Sequence, residues 1–281
     1  MMSVLFSRLL SPRLPAASLA LLLALPAQAE LMLNPTRVVL AKNQRAAQVE
    51  LINDGSEPAS YRISVVNRRM SETGEFVTID TPGPGEQFAG QMLTWSPRQV
   101  TLQPGTAQVV RLMIRRPEGL AEGEYRSHLH FEKLPDPKDM TSSIETTGKP
   151  AENIGVVLKT LIGASIPVIV RQGESEAAVT LAGLELQGGS APQLAFRIER
   201  GGNASVYGDL AASFTPKGGP EQVVARASGV AVYTPNAFRR AALPLKLPAG
   251  AVLARGQLRL TYRERAEAGG KLLAEAALTL P

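Results

Sequence analysis

The chain has 281 residues, 30 Lys and Arg against 25 Asp and Glu for a formal charge of +5, and no cysteine. Without cysteine there are no disulfide staples and no thiolate zinc sites, so an ordered fold must rest on packing. The positive excess is mild and carries no basic blocks, which argues against nucleic acid as a partner.

At the N-terminus, Arg8 and Arg13 supply a basic n-region, Ala16 to Leu25 an apolar h-region, and Ala27-Gln28-Ala29 a small-x-small cleavage pattern. Residues 1–29 read as a signal peptide that leaves Glu30 at the mature start. The apolar run is shorter than the roughly 20 residues a bilayer-spanning helix needs. No later segment comes closer, so the mature chain is not expected to insert in a membrane. About 250 residues then remain, more than the roughly 100 to 150 of a usual domain, which suggests two.

Helical periodicity is nearly absent, and short apolar runs punctuated by Gly, Pro and Asn-Asp predict strands. In chain order these are Val38–Leu40, Ala47–Ile52, Tyr61–Val66, Phe76–Ile79, Val109–Ile114 and His128–Phe131. Asn53-Asp54-Gly55 is expected to turn the chain between the second and third, since all three tolerate positive φ. Strands this short with these turns suggest an immunoglobulin-like sandwich. From Asp136 to Asn153 the composition turns polar and charged, as in a mobile loop. An apolar, β-branched stretch follows from Ile154 to Val170, and its two glycines and Pro167 favour strand over helix. It is far longer than an ordinary strand of about 5 to 6 residues.

After a hinge at Arg171-Gln172-Gly173, Val179–Leu186, Leu194–Ile198, Val206–Leu210, Val230–Tyr233 and Gln257–Tyr262 alternate again, suggesting a second, smaller β-sandwich. The pairs Gly188-Gly189, Gly201-Gly202 and Gly218-Gly219 read as hairpin turns. The division expected is therefore 1–29, 30–172 and 173–281.

Several segments together resemble the first domain of the periplasmic chaperones that assemble pili by the chaperone-usher route. They are Asn34-Pro35-Thr36-Arg37 near the mature N-terminus, Asn53 with Tyr61, and Pro97, Leu102, Pro104 and Gly105 in a Pro-x-x-x-x-Leu-x-Pro-Gly run. Arg111-Leu112 and Phe131-x-x-Leu134-Pro135 complete the pattern. The remainder is similar, more loosely, to the family's second domain. The resemblance implies an all-β fold of two immunoglobulin-like β-sandwich domains in a boomerang arrangement, located in the periplasm. It also implies a function without catalysis or cofactor: the last strand of the first domain is donated to an incomplete pilin-like subunit, which then passes to an outer-membrane usher.

On that reading the long apolar stretch is the donor. Val156, Leu158, Thr160, Ile162 and Ala164 share one strand face by their two-residue spacing, and the resemblance makes Leu158, Thr160 and Ile162 the main groove fillers. An exposed apolar donor would also allow self-association of the unloaded chain. Arg37 corresponds to the family's cleft arginine, which grips a subunit's terminal carboxylate. The family's partner lysine is absent: Pro167 stands at the aligned position, and Lys159 lies upstream on the face opposite Leu158. Glu124 and Arg171 align with two members of an interdomain ion-pair network. No acidic third member is evident near Tyr233-Thr234-Pro235-Asn236, leaving Asn236 as a substitute.

Other functions find less in the sequence. His128, His130 and Glu132 recur at i, i+2 and i+4, a spacing able to hold a divalent metal, but Leu129 and Phe131 take the core-facing side. The histidines are accordingly expected outward, as solvated or cross-strand polar residues, and no metal site is assigned. There is no G-x-S-x-G elbow and no phosphate loop. The alternative to a chaperone is a two-domain binding module for a protein or glycan. A single tryptophan, Trp95, disfavours sugar stacking as its main role.

Overall fold

In the computed structural model, the structure describes residues 31–135, 163–189, 191–247 and 253–281. The expected signal peptide, the expected loop at 136–153, and Val156, Leu158, Thr160 and Ile162 lie outside the described residues.

No α-helix occurs among the described residues, and the strands form two sandwiches. The first contains β1 (Leu31–Asn34), β2 (Val38–Leu40), β3 (Ala46–Asn53), β4 (Ala59–Val66), β5 (Arg68–Met70), β6 (Phe76–Thr78), β7 (Leu93–Ser96), β8 (Gln99–Leu102), β9 (Ala107–Ile114), β10 (Gly123–Lys133) and β11 (Ala164–Gln172). One sheet runs β1-β3-β9-β7 and the other β2-β11-β10-β4-β8, while β5 and β6 form a separate hairpin. The second contains β12 (Ala177–Gln187), β13 (Gln193–Gly202), β14 (Val206–Pro216), β15 (Gln222–Val232), β16 (Phe238–Pro244), β17 (Gly256–Glu264) and β18 (Leu272–Leu280). Its sheets are β12-β13-β16 and β15-β14-β17-β18.

Alternation explains both cores. In β3, Val49 and Leu51 point inward with Val110 and Leu112 of β9, against Tyr61, Ile63, Leu129 and Phe131 of the facing sheet. In the second sandwich Leu194, Phe196 and Ile198 of β13 join Leu210, Leu258, Leu260 and Tyr262 in the same way. Fully burying such a side chain is worth roughly 1.5–3 kcal/mol.

Two local expectations are corrected. None of Asn53, Asp54 and Gly55 has a positive φ. The turn is instead made by the buried Asn53 side chain, which accepts from the Gly55 amide at 3.0 Å and donates to the Glu57 and Leu102 carbonyls. This Asx-type turn redirects the chain from one sheet to the other. Gly201-Gly202 is no hairpin, because β13 and β14 lie in different sheets. Gly202 has φ +85, and a Cβ there would sit 2.3 Å from the Glu176 carbonyl oxygen, so this crossing needs glycine.

β10 departs from simple alternation. Leu129 and Phe131 face the core, but Glu124, Arg126 and His128 on the opposite face are also buried. That face becomes interior because the β5–β6 hairpin and the second sandwich cover it. Phe76 packs edge-on to the His128 ring at 5.3 Å and against Tyr233 at 5.9 Å. His128 is thus not the solvated residue expected from its outward direction. Burial foremost, then the Arg126 and Arg68 charges, push its pKa down to about 3. Met70 and Ile169, from the first sandwich, pack into the core of the second.

Candidate functional site

The last strand of the first sandwich is covered unevenly. β11 pairs with β10 along its whole length, from Ala164 opposite Phe131 to Gln172 opposite Gly123. On its other side it meets only β2, in parallel, with Val168, Ile169 and Val170 opposite Val38, Val39 and Leu40. Among the described residues no strand continues that ladder past Ala164 to Pro167. Among the described residues the edge there is open, and an open edge is a template for another strand. Ala164 is half-buried and lies in line with Ile166, Val168 and Val170, which turn into the first core. Pro167 stands opposite His128 and contributes neither charge nor backbone N–H.

Arg37 stands where the open edge begins. It immediately precedes Val38, the first β2 residue paired to β11. Its guanidinium lies 4.7 Å from the ring centre of Tyr207 and 5.3 Å from that of Tyr233, both in the second sandwich. Its buried Nη1 has no hydrogen-bond partner among the described residues. Aromatic faces hold a cation in place without consuming its N–H groups, so the fork stays available for an anion. Burial, above all, raises the Tyr233 pKa and keeps the phenol neutral beside Arg37 and Arg126. Arg126 lies 4.3 Å from the same ring and donates to the Arg68 carbonyl at 3.1 Å.

Arg37 opens onto a cavity of about 820 Å³ between the sandwiches, lined also by Arg171, Ser205, Tyr207, Arg265 and Lys271. Two of its lining residues, Arg171 and Ser205, belong to a polar knot around Glu124. This carboxylate, fully buried, pairs with Arg171 Nε at 3.2 Å. It also accepts from the Ser205 amide at 3.0 Å, from the Ser205 hydroxyl, and from the Thr234 hydroxyl at 3.3 Å. Arg171 Nη2 donates onward to the Ser205 carbonyl at 3.2 Å. Charge on a buried carboxylate is tolerable only with this many donors.

The structure places Arg37 and Arg171 in the lining of one cleft, with Glu124 buried behind Arg171. Ala164 stands apart on the edge, and Val156, Leu158, Thr160 and Ile162 lie outside the described residues. Asn236 does not join Glu124. Its amide donates to the Met70 and Ser71 carbonyls, tying down the β5–β6 hairpin, and two hydroxyl residues of the second sandwich fill the role suggested for it. Sequence reasoning missed Tyr207, Tyr233, Ser205 and Arg265. Each lies at or just beyond a strand end, where periodicity says nothing about what a side chain meets across an interface.

No family model and no curated protein matches the sequence. Among solved structures, the chain is similar to the Pseudomonas aeruginosa CupB2 chaperone at 10% identity and a TM-score of 0.48, covering 89% of this chain and 100% of that one. It is similar to the CsuC-CsuE chaperone-tip adhesion subunit pre-assembly complex of the archaic chaperone-usher Csu pili of Acinetobacter baumannii at 12% identity and a TM-score of 0.47, covering 88% and 98%. The YadV chaperone matches at 11% identity and a TM-score of 0.45, covering 90% and 100%. All three solved structures contain a chaperone, and that of CsuC-CsuE is a complex with a subunit.

Proposed function

We propose that this protein is a periplasmic chaperone that captures pilin-like subunits by donating a β-strand and delivers them to an outer-membrane usher. The observation that carries the reading is the adjacency of the open β11 edge to a guanidinium with a free, buried N–H. A strand docked on that edge lies in line with β2. If it runs in the direction of β2, parallel to β11, its last residue meets the start of β2, where Arg37 stands. The terminal carboxylate then takes charge-assisted hydrogen bonds from Arg37.

Upstream of Ala164 the donor continues in sequence through Val156, Leu158, Thr160 and Ile162, whose spacing puts them on one face. A partner lacking a strand exposes a groove and an unpaired edge, and an extended donor satisfies both with backbone hydrogen bonds and alternate side chains. Two or three buried Leu or Ile side chains contribute roughly 1.5–3 kcal/mol each before ordering costs. Exchange against a better-fitting subunit strand then releases the partner without ATP. Glu124, Arg171, Ser205 and Thr234 hold the two sandwiches so that edge and cleft face one occupant.

The test is co-purification from periplasm expressing secreted subunit candidates, comparing wild type with Leu158→Asp, Ile162→Asp and Arg37→Ala. A subunit that comes with wild type and is lost with the variants, all folded, supports the reading. Capture that survives all three substitutions overturns it and favours a binding module with another surface.

A further inference from the structure

The β5–β6 hairpin belongs to the first sandwich in sequence and to both in contact. Its two three-residue strands form a sheet of their own. We infer that this hairpin is a strap that fixes the angle between the sandwiches, docked on the second by contacts separate from the Glu124 knot.

Both ends of the strap are anchored. On its own side, Nε and Nη2 of Arg69 meet the two Glu86 carboxylate oxygens at 2.7 Å each, a bidentate pair, and the Arg68 carbonyl accepts from Arg126 of β10. On the far side, Met70 enters the core of the second sandwich, and its carbonyl accepts from the Asn236 side-chain amide at 3.0 Å. The Glu72 carbonyl accepts from the Arg240 backbone amide at 2.7 Å, and the two side chains pair at 3.3 Å. Arg240 lies on β16, the edge of its sheet, so the tip of the hairpin extends that sheet by one backbone bond. Gly74, at φ +92 in the tip, leaves room for the Arg239 guanidinium, which a Cβ would strike.

Two features make the strap separable from the pivot it steadies. A lone hairpin is marginal in water, and every β6 residue is exposed, so the order of this one comes from docking. The docking itself rests on Met70, two backbone acceptors and an ion pair too exposed to contribute much. Glu124, by contrast, is fully buried and cannot leave its donors without stranding a charge. The knot is therefore the pivot, and the hairpin is the stay that selects one setting about it. Tyr233 touches both Phe76 of the hairpin and Arg37 of the cleft, so the setting selected is the one in which Arg37 keeps its aromatic support.

The chain has no cysteine, so Gln103→Cys and Lys217→Cys, both exposed and one on each sandwich, can carry a donor and an acceptor dye on the mature protein. Single-molecule energy transfer is expected to show one narrow distribution for this labelled protein. Two further substitutions release the strap. Asn236→Ala removes the amide that bonds the Met70 and Ser71 carbonyls. Arg240→Pro removes the N–H that Glu72 accepts, and proline is admissible there because that N–H points away from β13 at a sheet edge. Each is expected to broaden the distribution by about twofold. In Asn236→Ala the Arg240 amide should also exchange about tenfold faster, while the core amides of Leu210 and Leu258 do not change. Thermal unfolding confirms that the variants are folded. If both folded variants keep the wild-type width, the inference is overturned and the Glu124 knot alone sets the angle. A wild-type distribution already as broad as that of the variants overturns it as well.

Discussion

The Glu124 carboxylate and the Ser205 amide are joined at 3.0 Å across 81 residues of chain, and this bond links the two sandwiches at a buried point. Around it Arg171 and the hydroxyls of Ser205 and Thr234 complete a set of donors that leaves the carboxylate no need of water. A knot of this kind fixes geometry more than it adds net stability, because desolvation of the charge offsets much of the attraction.

Breaking the knot from the acidic side is therefore expected to be costly. Glu124→Ala leaves the Ser205 amide without an acceptor, the Ser205 hydroxyl with only the Thr234 amide it accepts from, and Arg171 without its counter-charge, for a loss of roughly 2–4 kcal/mol. Ser205→Ala removes one hydroxyl donor and is expected to cost about 1–2 kcal/mol. Urea unfolding of the two variants measures both; equal midpoints for Glu124→Ala and wild type would contradict this role for the Glu124 contacts between the sandwiches.

Acid should act through His128. Its folded pKa of about 3 lies well below the ordinary value of 6.5, so between those limits the unfolded chain binds a proton that the folded chain refuses. Stability from this residue is complete above pH 6.5 and declines as pH falls toward 3, by roughly 1.4 kcal/mol per pH unit. The wild-type unfolding midpoint is thus expected to drop more steeply between pH 6.5 and 4 than that of His128→Gln, since carboxylate titrations are common to both. Parallel curves would show that His128 is not held neutral.

Met70 gives a third case. It sits on the first sandwich's hairpin but is 3% exposed within the second core. Met70→Ala is expected to cost about 2–4 kcal/mol. It should also separate the unfolding of the two sandwiches, seen as a second calorimetric transition, whereas a residue buried only in its own domain would leave the transition single.

Tyr207 positions Arg37 without bonding to it. Tyr207→Leu should leave the fold intact yet weaken partner capture, by about the 0.5–1 kcal/mol of a partly exposed cation–π contact. Titration of a captured subunit against both proteins measures the difference.

Much of this architecture is legible in the chain. Val49 with Leu51 and Leu129 with Phe131 announce their inward faces through alternation, because strand periodicity is fixed by backbone geometry. Other strands escape for physical reasons. β5 is three residues long, and its one apolar side chain, Met70, serves a core in the other sandwich. β18 is rich in alanine, which carries little strand preference, and its pairing to β17 decides its state. β7 and β8 flank Ser96-Pro97, a turn signal that hides both short runs. At the site, Arg37, Glu124 and Arg171 came from a motif, while Tyr207, Tyr233 and Arg265 could not, since alternation tells which way a side chain points and nothing of what covers it. His128 shows the same limit, outward by register and buried by a neighbour.

On the proposed function, the open side of β11 takes a partner strand. Hydrogen–deuterium exchange of a peptide spanning residues 163 to 170, in the free protein and in a co-purified complex, tests it most directly. The Ala164 to Ile166 amides are expected to gain protection on loading, while those of Val168 to Val170, already laddered to β2, change little. A complex that forms with no gain in protection along Ala164 to Ile166 would contradict it.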